Sequence, residues 1–235
     1  MSTLDDEFFD ITRGTRNPGR ELPSELASQA TDSSDMRQNL PILYGIVAGL
    51  DAKDVLEIGT SDGTSTLALL KAVAETGGHL TSIDIVDVPV AKALVERYGM
   101  TAHWTFVKGD SGEVLKRLQA EGRQFDSVLV DADHTRAGAT RDFVEASKML
   151  RKGGVMFTHD NWMSACDYDA SKPFGQRATE GCAFLGLELL TGSDWVGVVL
   201  PFNCNLGIFR RRSDCVGEVV NGINLARQAG YIPWT

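Results

Sequence analysis

Between residues 55 and 160, short apolar segments alternate with longer amphipathic segments, and this alternation limits the folds open to the chain. Each apolar segment has the length of a buried β-strand, and the residues between two of them carry apolar side chains at helical spacing. Strands are predicted at residues 55–59, 80–85, 103–109, 127–132 and 155–160, and the last intervening helix is predicted to end at Gly153. Strands that alternate with helices in this way form a parallel sheet that has helices on both faces.

Two further apolar segments, at residues 195–201 and 206–212, are separated by only a few residues. A crossover between parallel strands needs about a dozen residues or more, so this pair is predicted to form an antiparallel hairpin. The sequence therefore predicts an α/β fold with a seven-stranded, mostly parallel sheet. The last hairpin of this sheet is antiparallel.

The 235 residues fit a single large α/β domain. Residues 1–35 are polar and are predicted to form a lead-in or a cap, residues 36–212 the core, and residues 213–235 a helical extension at the C-terminus. The core is predicted to begin with a helix from Met36 to Leu50, because its apolar residues fall at helical spacing. The extension suits either an added layer over the sheet or a contact in a homodimer.

Composition and charge narrow the range of partners. The net charge of −9 argues against a nucleic acid. The first ten residues lack the basic and apolar regions of a secretory signal, and no apolar run approaches the ~20 residues of a membrane-spanning helix. The four cysteines form no C-x-x-C pair, which indicates free thiols in a reducing compartment. We therefore expect a cytoplasmic protein without a nucleic-acid or membrane partner.

The segment Gly59-Thr-Ser-Asp-Gly63 supports two different predictions. It fits the G-x-S-x-G turn of α/β-hydrolases, in which Ser61 would be a nucleophile and Asp131 and His159 would complete a triad. Against this prediction, the turn follows the first predicted strand, and the sequence has no HGGG-type segment for an oxyanion hole. The other prediction is a cofactor loop, because glycines allow a backbone to approach a bound cofactor closely.

The loop lacks the middle glycine of the G-x-G-x-x-G dinucleotide fingerprint. Its pattern E-I-G-x-x-x-G-x-S-T instead resembles motif I of the class I S-adenosylmethionine-dependent methyltransferases. This resemblance implies a Rossmann-like fold and S-adenosyl-L-methionine as the cofactor. It also implies that the cofactor is bound by residues of the motif, which are Glu57, Gly59, Ser61, Gly63 and Ser65.

Polar residues also follow the second and third predicted strands. A carboxylate at the end of the second strand can accept hydrogen bonds from both ribose hydroxyls of the cofactor, and Asp84 occupies this position. Asp110 and Ser111 follow the third strand and are predicted to contact the adenine edge. An Asp at such a position is also common in turns and helix caps. The placement of both Asp residues at consecutive strand ends favours cofactor binding.

Two acidic clusters, VLVDADHT at residues 128–135 and FTHDNW at residues 157–162, follow the fourth and fifth predicted strands. Adjacent strands bring Asp131, Asp160 and Asn161 together, and their oxygens suit Mg²⁺, Mn²⁺ or Ca²⁺. The pattern resembles the metal-dependent O-methyltransferases related to catechol and caffeoyl-coenzyme A methyltransferases. In its D-x-D-H form it also resembles a broader family of bacterial small-molecule and sugar methyltransferases. The resemblance implies that these three residues are metal ligands and that Asp131 also faces the cofactor.

His134 marks a departure from the catechol-type enzymes, which carry a lysine at this position as the general base for the substrate hydroxyl. Histidine accepts a proton near neutral pH, so His134 is the predicted catalytic base. A helix cap and an orienting role are open alternatives for His134. For His159, both a structural role and the role of base are open.

Together these residues predict an S-adenosylmethionine-dependent, divalent-metal-assisted O-methyltransferase that acts on a hydroxyl of a small molecule. The predicted acceptor is a sugar, a glycoside or another specialised metabolite, and a catechol-like phenol is the alternative. Two alternatives come from other classes of protein. One is a serine hydrolase that uses Ser61, and the other is a cofactor-binding scaffold without catalysis.

Overall fold

A seven-stranded sheet forms the centre of the molecule. The computed structural model describes residues 23, 24, 26, 35–160, 189, 194–200 and 206–215. The strands are β1 (Asp54–Ile58), β2 (His79–Asp84), β3 (Trp104–Lys108), β4 (Phe125–Val130), β5 (Leu150–Thr158), β6 (Trp195–Leu200) and β7 (Leu206–Arg211). Their order in the sheet is β3-β2-β1-β4-β5-β7-β6.

Strands β1 to β5 are parallel, and β7 pairs antiparallel with both β5 and β6. This arrangement confirms the predicted mostly parallel sheet with its antiparallel last hairpin. The chain places β2 and β3 on one side of β1 and then continues with β4 on the other side. In open α/β sheets, ligands bind beyond the carboxyl ends of the strands at such a reversal. The ligand site is therefore expected between the ends of β1 and β4.

Helices cover both faces of the sheet, as predicted. They are α1 (Leu40–Gly49), α2 (Thr64–Thr76), α3 (Pro89–Arg97), α4 (Ser111–Ala120) and α5 (Arg136–Ser147), with short 3₁₀ helices at Asp35–Asn39 and Thr101–His103. Neighbouring residues of β1 point to opposite faces, because side chains alternate along a strand. Val55 packs in a cluster with α1 and α2, whereas Leu56 packs in a second cluster with α4 and α5.

The boundary between α5 and β5 differs from the prediction. The helix itself is present, but its predicted end at Gly153 was wrong, because α5 ends at Ser147. The strand predicted at residues 155–160 instead begins at Leu150. Leu150 is only 3% exposed and pairs with Phe125 of β4. This burial and pairing favour extended backbone over the helix that local spacing predicts, because tertiary contacts override local propensity.

Several predicted segments lie outside the described residues. They include most of the lead-in at residues 1–35, the loop that follows Asp160, the helix predicted around residues 177–190 apart from Leu189, and residues 216–235. Within the described ranges, no helix is long and apolar enough to cross a membrane. The cap and the C-terminal extension therefore stay predictions.

Candidate functional site

A cavity of about 480 Å³ lies at the carboxyl ends of the parallel strands. Most of the predicted site residues line it, namely Gly59, Ser61, Asp84, Asp110, Ser111, Asp131, His134 and Asp160. Arg141, which the sequence did not predict, lines the cavity as well. The sheet thus brings residues from the ends of five strands into one site.

The loop after β1 depends on glycine at position 59. Gly59 has a φ of +98°, and a Cβ atom added there would lie 2.1 Å from the carbonyl oxygen of Asp131. Ser61 also has a positive φ, of 49°, which residues with a side chain adopt at a cost. The loop therefore lies directly against the end of β4, and Ser61 is exposed at the cavity.

Asp84 fixes the same loop from the end of β2. Its Oδ2 accepts hydrogen bonds from the backbone N–H groups of Thr60 at 3.1 Å and Ser61 at 2.9 Å. Its Oδ1 accepts one from the N–H of Val86 at 3.0 Å. The turn role that the sequence left open is therefore present. Asp84 also lines the cavity, so its carboxylate can reach a bound ligand as well. Its contact with the ribose stays a prediction.

Glu57, Gly63 and Ser65 lie beneath the loop rather than on the cavity lining. The carboxylate of Glu57 accepts hydrogen bonds from the hydroxyls of Ser65 at 2.7 Å, Thr66 at 2.8 Å and Ser82 at 2.6 Å. These bonds join β1 to α2 and β2. Gly63 begins α2 with a φ of 88°. In the structure these residues support the loop, and a direct contact with the cofactor stays a prediction.

The carboxyl group of Glu57 titrates in an unusual range. Burial raises its pKa from 4.5 to about 7, although the hydrogen bonds from Ser65, Ser82 and Thr66 oppose the shift. A carboxyl group with a raised pKa in the folded state favours folding when it is protonated. Its contribution to stability is therefore present below pH 4.5 and is lost as the pH rises to about 7.

We expect the substitution Glu57→Gln to remove this pH dependence, because glutamine keeps the shape and does not ionise. Between about pH 5 and about pH 8, the free energy of unfolding of the wild type should fall relative to that of the variant by up to about 3 kcal/mol. Urea unfolding of both proteins at the two pH values measures this change. A stability difference that is the same at both pH values would contradict the raised pKa.

Asp110 and Ser111 occupy the start of α4. The Oδ1 of Asp110 caps this helix by accepting a hydrogen bond from the N–H of Glu113 at 3.2 Å. The hydroxyl of Ser111 donates to Oδ1 of Asp142 at 2.8 Å. The helix-cap role of Asp110 is thus present, and both residues still line the cavity. Their predicted contact with adenine stays a prediction.

Arg141 and Asp142 are the site residues that sequence reasoning missed. Asp142 is fully buried, although it lies within the amphipathic helix α5. The buried apolar residues of this helix are Ala139, Phe143 and Ala146, and Asp142 lies on the same side at helical spacing. A charged residue on the apolar side of a helix needs a specific partner. That position was the signal in the sequence that could have identified the pair.

The acidic ends of β4 and β5 meet as predicted. Nε2 of His134 lies 3.2 Å from Oδ2 of Asp160 and 3.7 Å from Oδ1 of Asp131. On the inner side, Nδ1 of His159 lies 3.4 Å from Oδ1 of Asp131 and 3.5 Å from Oδ1 of Asp160. The side chain of His159 is 1% exposed, whereas that of His134 is 50% exposed. Only His134 of the two is therefore open to a ligand and to solvent.

The two histidines keep Asp131 ionised. Burial raises the pKa of Asp131, but its contacts with His134 and His159 outweigh burial and bring the pKa below the ordinary value. The helix-cap alternative for His134 is wrong, because Thr135 caps α5. Its Oγ1 accepts a hydrogen bond from the N–H of Gly138 at 3.1 Å. His134 is thus available for a role at the cavity.

The cluster has the donor chemistry of a divalent-cation site. One donor atom each from Asp131, His134 and Asp160 lies within 4.8 Å of the other two. The two carboxylate oxygens suit cations such as Mg²⁺ and Mn²⁺, which prefer oxygen ligands, and the imidazole of His134 lies next to them. The third predicted ligand, Asn161, lies outside the described residues. The described residues therefore fit the predicted metal.

The serine-hydrolase alternative does not agree with this fold. A nucleophile elbow follows several earlier strands of a hydrolase sheet. Here Ser61 follows β1, which is the first strand along the described part of the chain. The partners of His159 described above are the carboxylates of Asp131 and Asp160. The cofactor-loop prediction is the one that the structure favours.

The sheet order, the loop after β1 and the acidic strand ends agree with the methyltransferase class that the sequence predicts. A comparison with protein families agrees with this class, since residues 56–161 match the model described as a methyltransferase domain. Over these residues the chain is therefore similar to a methyltransferase domain.

Similar proteins are methyltransferases too. A catechol O-methyltransferase of Niastella koreensis is 28% identical over 140 residues, which make up 57% of this chain and 62% of that protein. The O-methyltransferase hkm8 of Aspergillus hancockii is 30% identical over 108 residues, 45% of this chain and 42% of that protein. The chain thus spans about half the length of the curated relatives it matches.

Among solved structures, an O-methyltransferase from Bacillus cereus in complex with SAH is similar with a TM-score of 0.65. The match covers 88% of this chain and 96% of that one at 18% identity. At this low identity the similarity establishes the fold alone.

Proposed function

We propose that the protein is an S-adenosylmethionine-dependent O-methyltransferase that acts on a hydroxyl group of a small molecule. One observation carries this proposal. A single cavity joins the loop of a methyltransferase domain to a cluster of two carboxylates and a histidine. The O-methyltransferases among the similar proteins support the same chemistry.

On the cofactor side, the loop residues Gly59 and Ser61 lie where the backbone approaches the cavity closely. We propose that Asp84 accepts hydrogen bonds from the ribose hydroxyls and that Asp110 and Ser111 contact the adenine edge. A carboxylate suits this task because it can accept both ribose hydrogen bonds. The buried contacts of Glu57 hold the loop in place for binding.

On the acceptor side, Asp131, Asp160 and Asn161 would hold a divalent cation, either Mg²⁺ or one of the alternatives Mn²⁺ and Ca²⁺. A cation bound there would lower the pKa of an acceptor hydroxyl next to it. We propose that Nε2 of His134 accepts the proton of that hydroxyl. The half-exposed side chain of His134 can then release the proton to solvent.

The methyl transfer is a nucleophilic substitution at the methyl carbon. The bond between the sulfonium sulfur and the methyl carbon breaks while a bond forms between that carbon and the acceptor oxygen. The products are S-adenosylhomocysteine and a methyl ether, and the proton passes to His134. Positioning of the acceptor against the methyl group supplies much of the acceleration.

For the acceptor we propose a sugar, a glycoside or another specialised metabolite, with a catechol-like phenol as the alternative. The acidic site is suited to a neutral hydroxyl compound next to a cation. We also propose a cytoplasmic location on the basis of the cysteine pattern, and a homodimer formed through residues 213–235.

We expect Asp84→Asn to weaken the binding of S-adenosylhomocysteine by about 5- to 150-fold, because a charge-assisted contact is worth about 1–3 kcal/mol. Asparagine keeps one oxygen that can accept from the N–H groups of Thr60 and Ser61, while the charge and the acceptor for the N–H of Val86 are removed. Calorimetric titration measures both affinities. The matched control is Asp87→Asn, because Asp87 is exposed and pairs with Lys92 away from the cavity lining.

The absence of heat from the wild type with either S-adenosylmethionine or S-adenosylhomocysteine would contradict the proposed function. Equal affinities of the wild type and the Asp84→Asn variant would contradict the ribose contact alone. Cofactor binding without methyl transfer to any hydroxyl would favour the scaffold alternative.

A further inference from the structure

Arg141 belongs to α5, but its side chain reaches the start of α4. Its Nη2 donates a hydrogen bond to Oγ of Ser111 at 2.9 Å, and both residues line the cavity. A Cβ atom added to Gly112 would lie 3.3 Å from Nε of Arg141. The guanidinium group therefore lies against the first turn of α4, at the part of the cavity where β3 ends.

The buried carboxylate of Asp142 fixes the orientation of this guanidinium. Nε of Arg141 donates to Oδ1 of Asp142 at 3.0 Å, and the hydroxyl of Ser111 donates to both carboxylate oxygens, at 2.8 and 2.9 Å. A fully buried carboxylate needs a cation and hydrogen bonds to offset its burial, and Arg141 and Ser111 supply them, although burial still raises the pKa of Asp142. Nε and Nη2 make these contacts, no hydrogen bond of Nη1 is found within the described residues, and the same side chain lines the cavity, where its flat face can meet a ligand.

The charge around Arg141 disfavours an anionic ligand group. Asp110 and Asp133 line the same cavity, and both raise the pKa of Arg141 electrostatically. Together with Asp142 they place three carboxylates around one guanidinium. A neutral ring with a polarisable face avoids this repulsion and can still stack on the cation.

The same cavity has an exposed apolar surface on which a flat ring can pack. Ile85 lines the cavity and is 67% exposed, which is a large exposure for an apolar residue. Among the described residues that line the cavity, none is Phe, Tyr or Trp, and the imidazole of His134 lies in the acidic cluster beside Asp131 and Asp160. A heteroaromatic ring bound here would therefore find its stacking surfaces in an aliphatic side chain and a guanidinium.

We propose that the guanidinium of Arg141 is the face on which the adenine base of S-adenosylmethionine stacks, and that Ser111 and Asp142 position it. This inference rests on the proposed function, because it assigns a residue to the cofactor of that reaction. The amino-acid end of the cofactor carries a carboxylate, and the carboxylates around Arg141 repel that group. Arg141 is thus a determinant of affinity for the base.

The test compares two ligands that share the adenine base. S-adenosylhomocysteine contains the amino-acid portion, and 5′-methylthioadenosine lacks it. We expect Arg141→Met to weaken both ligands by the same factor, roughly 5- to 30-fold, because methionine keeps an unbranched side chain but loses the cationic face. Calorimetry measures the four affinities. The matched control is Arg117→Met on the exposed side of α4, where both ligands should bind as in the wild type.

Unchanged affinity of Arg141→Met for both ligands would overturn the inference. Weaker binding of S-adenosylhomocysteine alone would also overturn it, because Arg141 would then contact the amino-acid end. A second variant, Arg141→Lys, keeps the charge without the planar face and is expected to weaken both ligands as well. Equal Mg²⁺ affinity in wild type and variants confirms an intact site. Failure of the wild type to bind either ligand would instead contradict the proposed function.

Discussion

Asp160→Asn is expected to lower the rate of methyl transfer by about 10²–10³-fold at moderate Mg²⁺, which corresponds to about 3–4 kcal/mol of lost stabilisation. Asp160 has a positive φ of 54°, a conformation that asparagine tolerates better than most residues. The substitution therefore keeps the backbone and removes one of the two carboxylate charges that would hold the cation. Initial rates at increasing Mg²⁺, together with calorimetric Mg²⁺ binding, measure the effect.

Asp133→Asn is the matched control for this prediction. Asp133 lines the same cavity, and its carboxylate accepts a hydrogen bond from the N–H of Thr135 at 2.8 Å, apart from the three-donor cluster. The Asp133→Asn variant loses the same charge as Asp160→Asn, and its Mg²⁺ affinity should stay within about threefold of the wild-type affinity. Equal losses in the two variants would show a general effect of charge and would contradict a cation held by Asp160.

His134→Ala is expected to lower kcat by roughly 10²–10⁴-fold at saturating cofactor and Mg²⁺, because the acceptor hydroxyl loses its proton acceptor. Nε2 of His134 lies 3.2 Å from Oδ2 of Asp160, so it is next to the place where the acceptor would bind. Imidazole added to the solution should restore part of the rate. The affinity for Mg²⁺ should stay within a few-fold of the wild type.

His103→Ala serves as the control, because Nδ1 of His103 contacts the carbonyl oxygen of Gly78 at 2.9 Å, at the opposite end of the sheet. This variant should keep the wild-type kcat. Loss of Mg²⁺ affinity in His134→Ala as large as in Asp160→Asn would make His134 a metal ligand. That result, or an unchanged kcat, would contradict its role as the base.

The sheet could be predicted from the sequence because strands buried on both faces form continuous apolar segments. The short connection between β6 and β7 then left the antiparallel hairpin as the simplest arrangement. The boundary between α5 and β5 could not be predicted in the same way. The residues around Leu150 continue a helical spacing, and only their pairing with Phe125 selects the extended conformation.

The candidate site could be predicted for those residues whose positions follow from the topology of the sheet alone. Asp84, Asp131 and Asp160 follow parallel strands, and the carboxyl ends of such strands meet at one edge of the sheet. Arg141 could not be found by this reasoning, because its place depends on the packing of α5 against α4. Only the buried position of Asp142 in an otherwise apolar helix face hinted at that contact.

Motif I shows a further limit of sequence reasoning. The motif placed Glu57 in the first strand, and the structure has it in β1. A sequence pattern does not tell whether such a side chain contacts the ligand or supports the loop. The hydroxyls of Ser65, Thr66 and Ser82 enclose the carboxylate of Glu57 under the loop. These partners come from α2 and β2, and their convergence depends on the fold.

The most direct test of cation-assisted methyl transfer is the rate of the wild-type protein before and after removal of divalent cations. A panel of sugars, glycosides and phenols serves as acceptors, and mass spectrometry detects the methylated products. We predict that a chelator abolishes product formation, that Mg²⁺ or Mn²⁺ restores it, and that S-adenosylhomocysteine binds with nearly the same affinity throughout. Full activity in the chelator would contradict a cation at Asp131 and Asp160 and would assign deprotonation of the acceptor to a carboxylate or to His134 unaided.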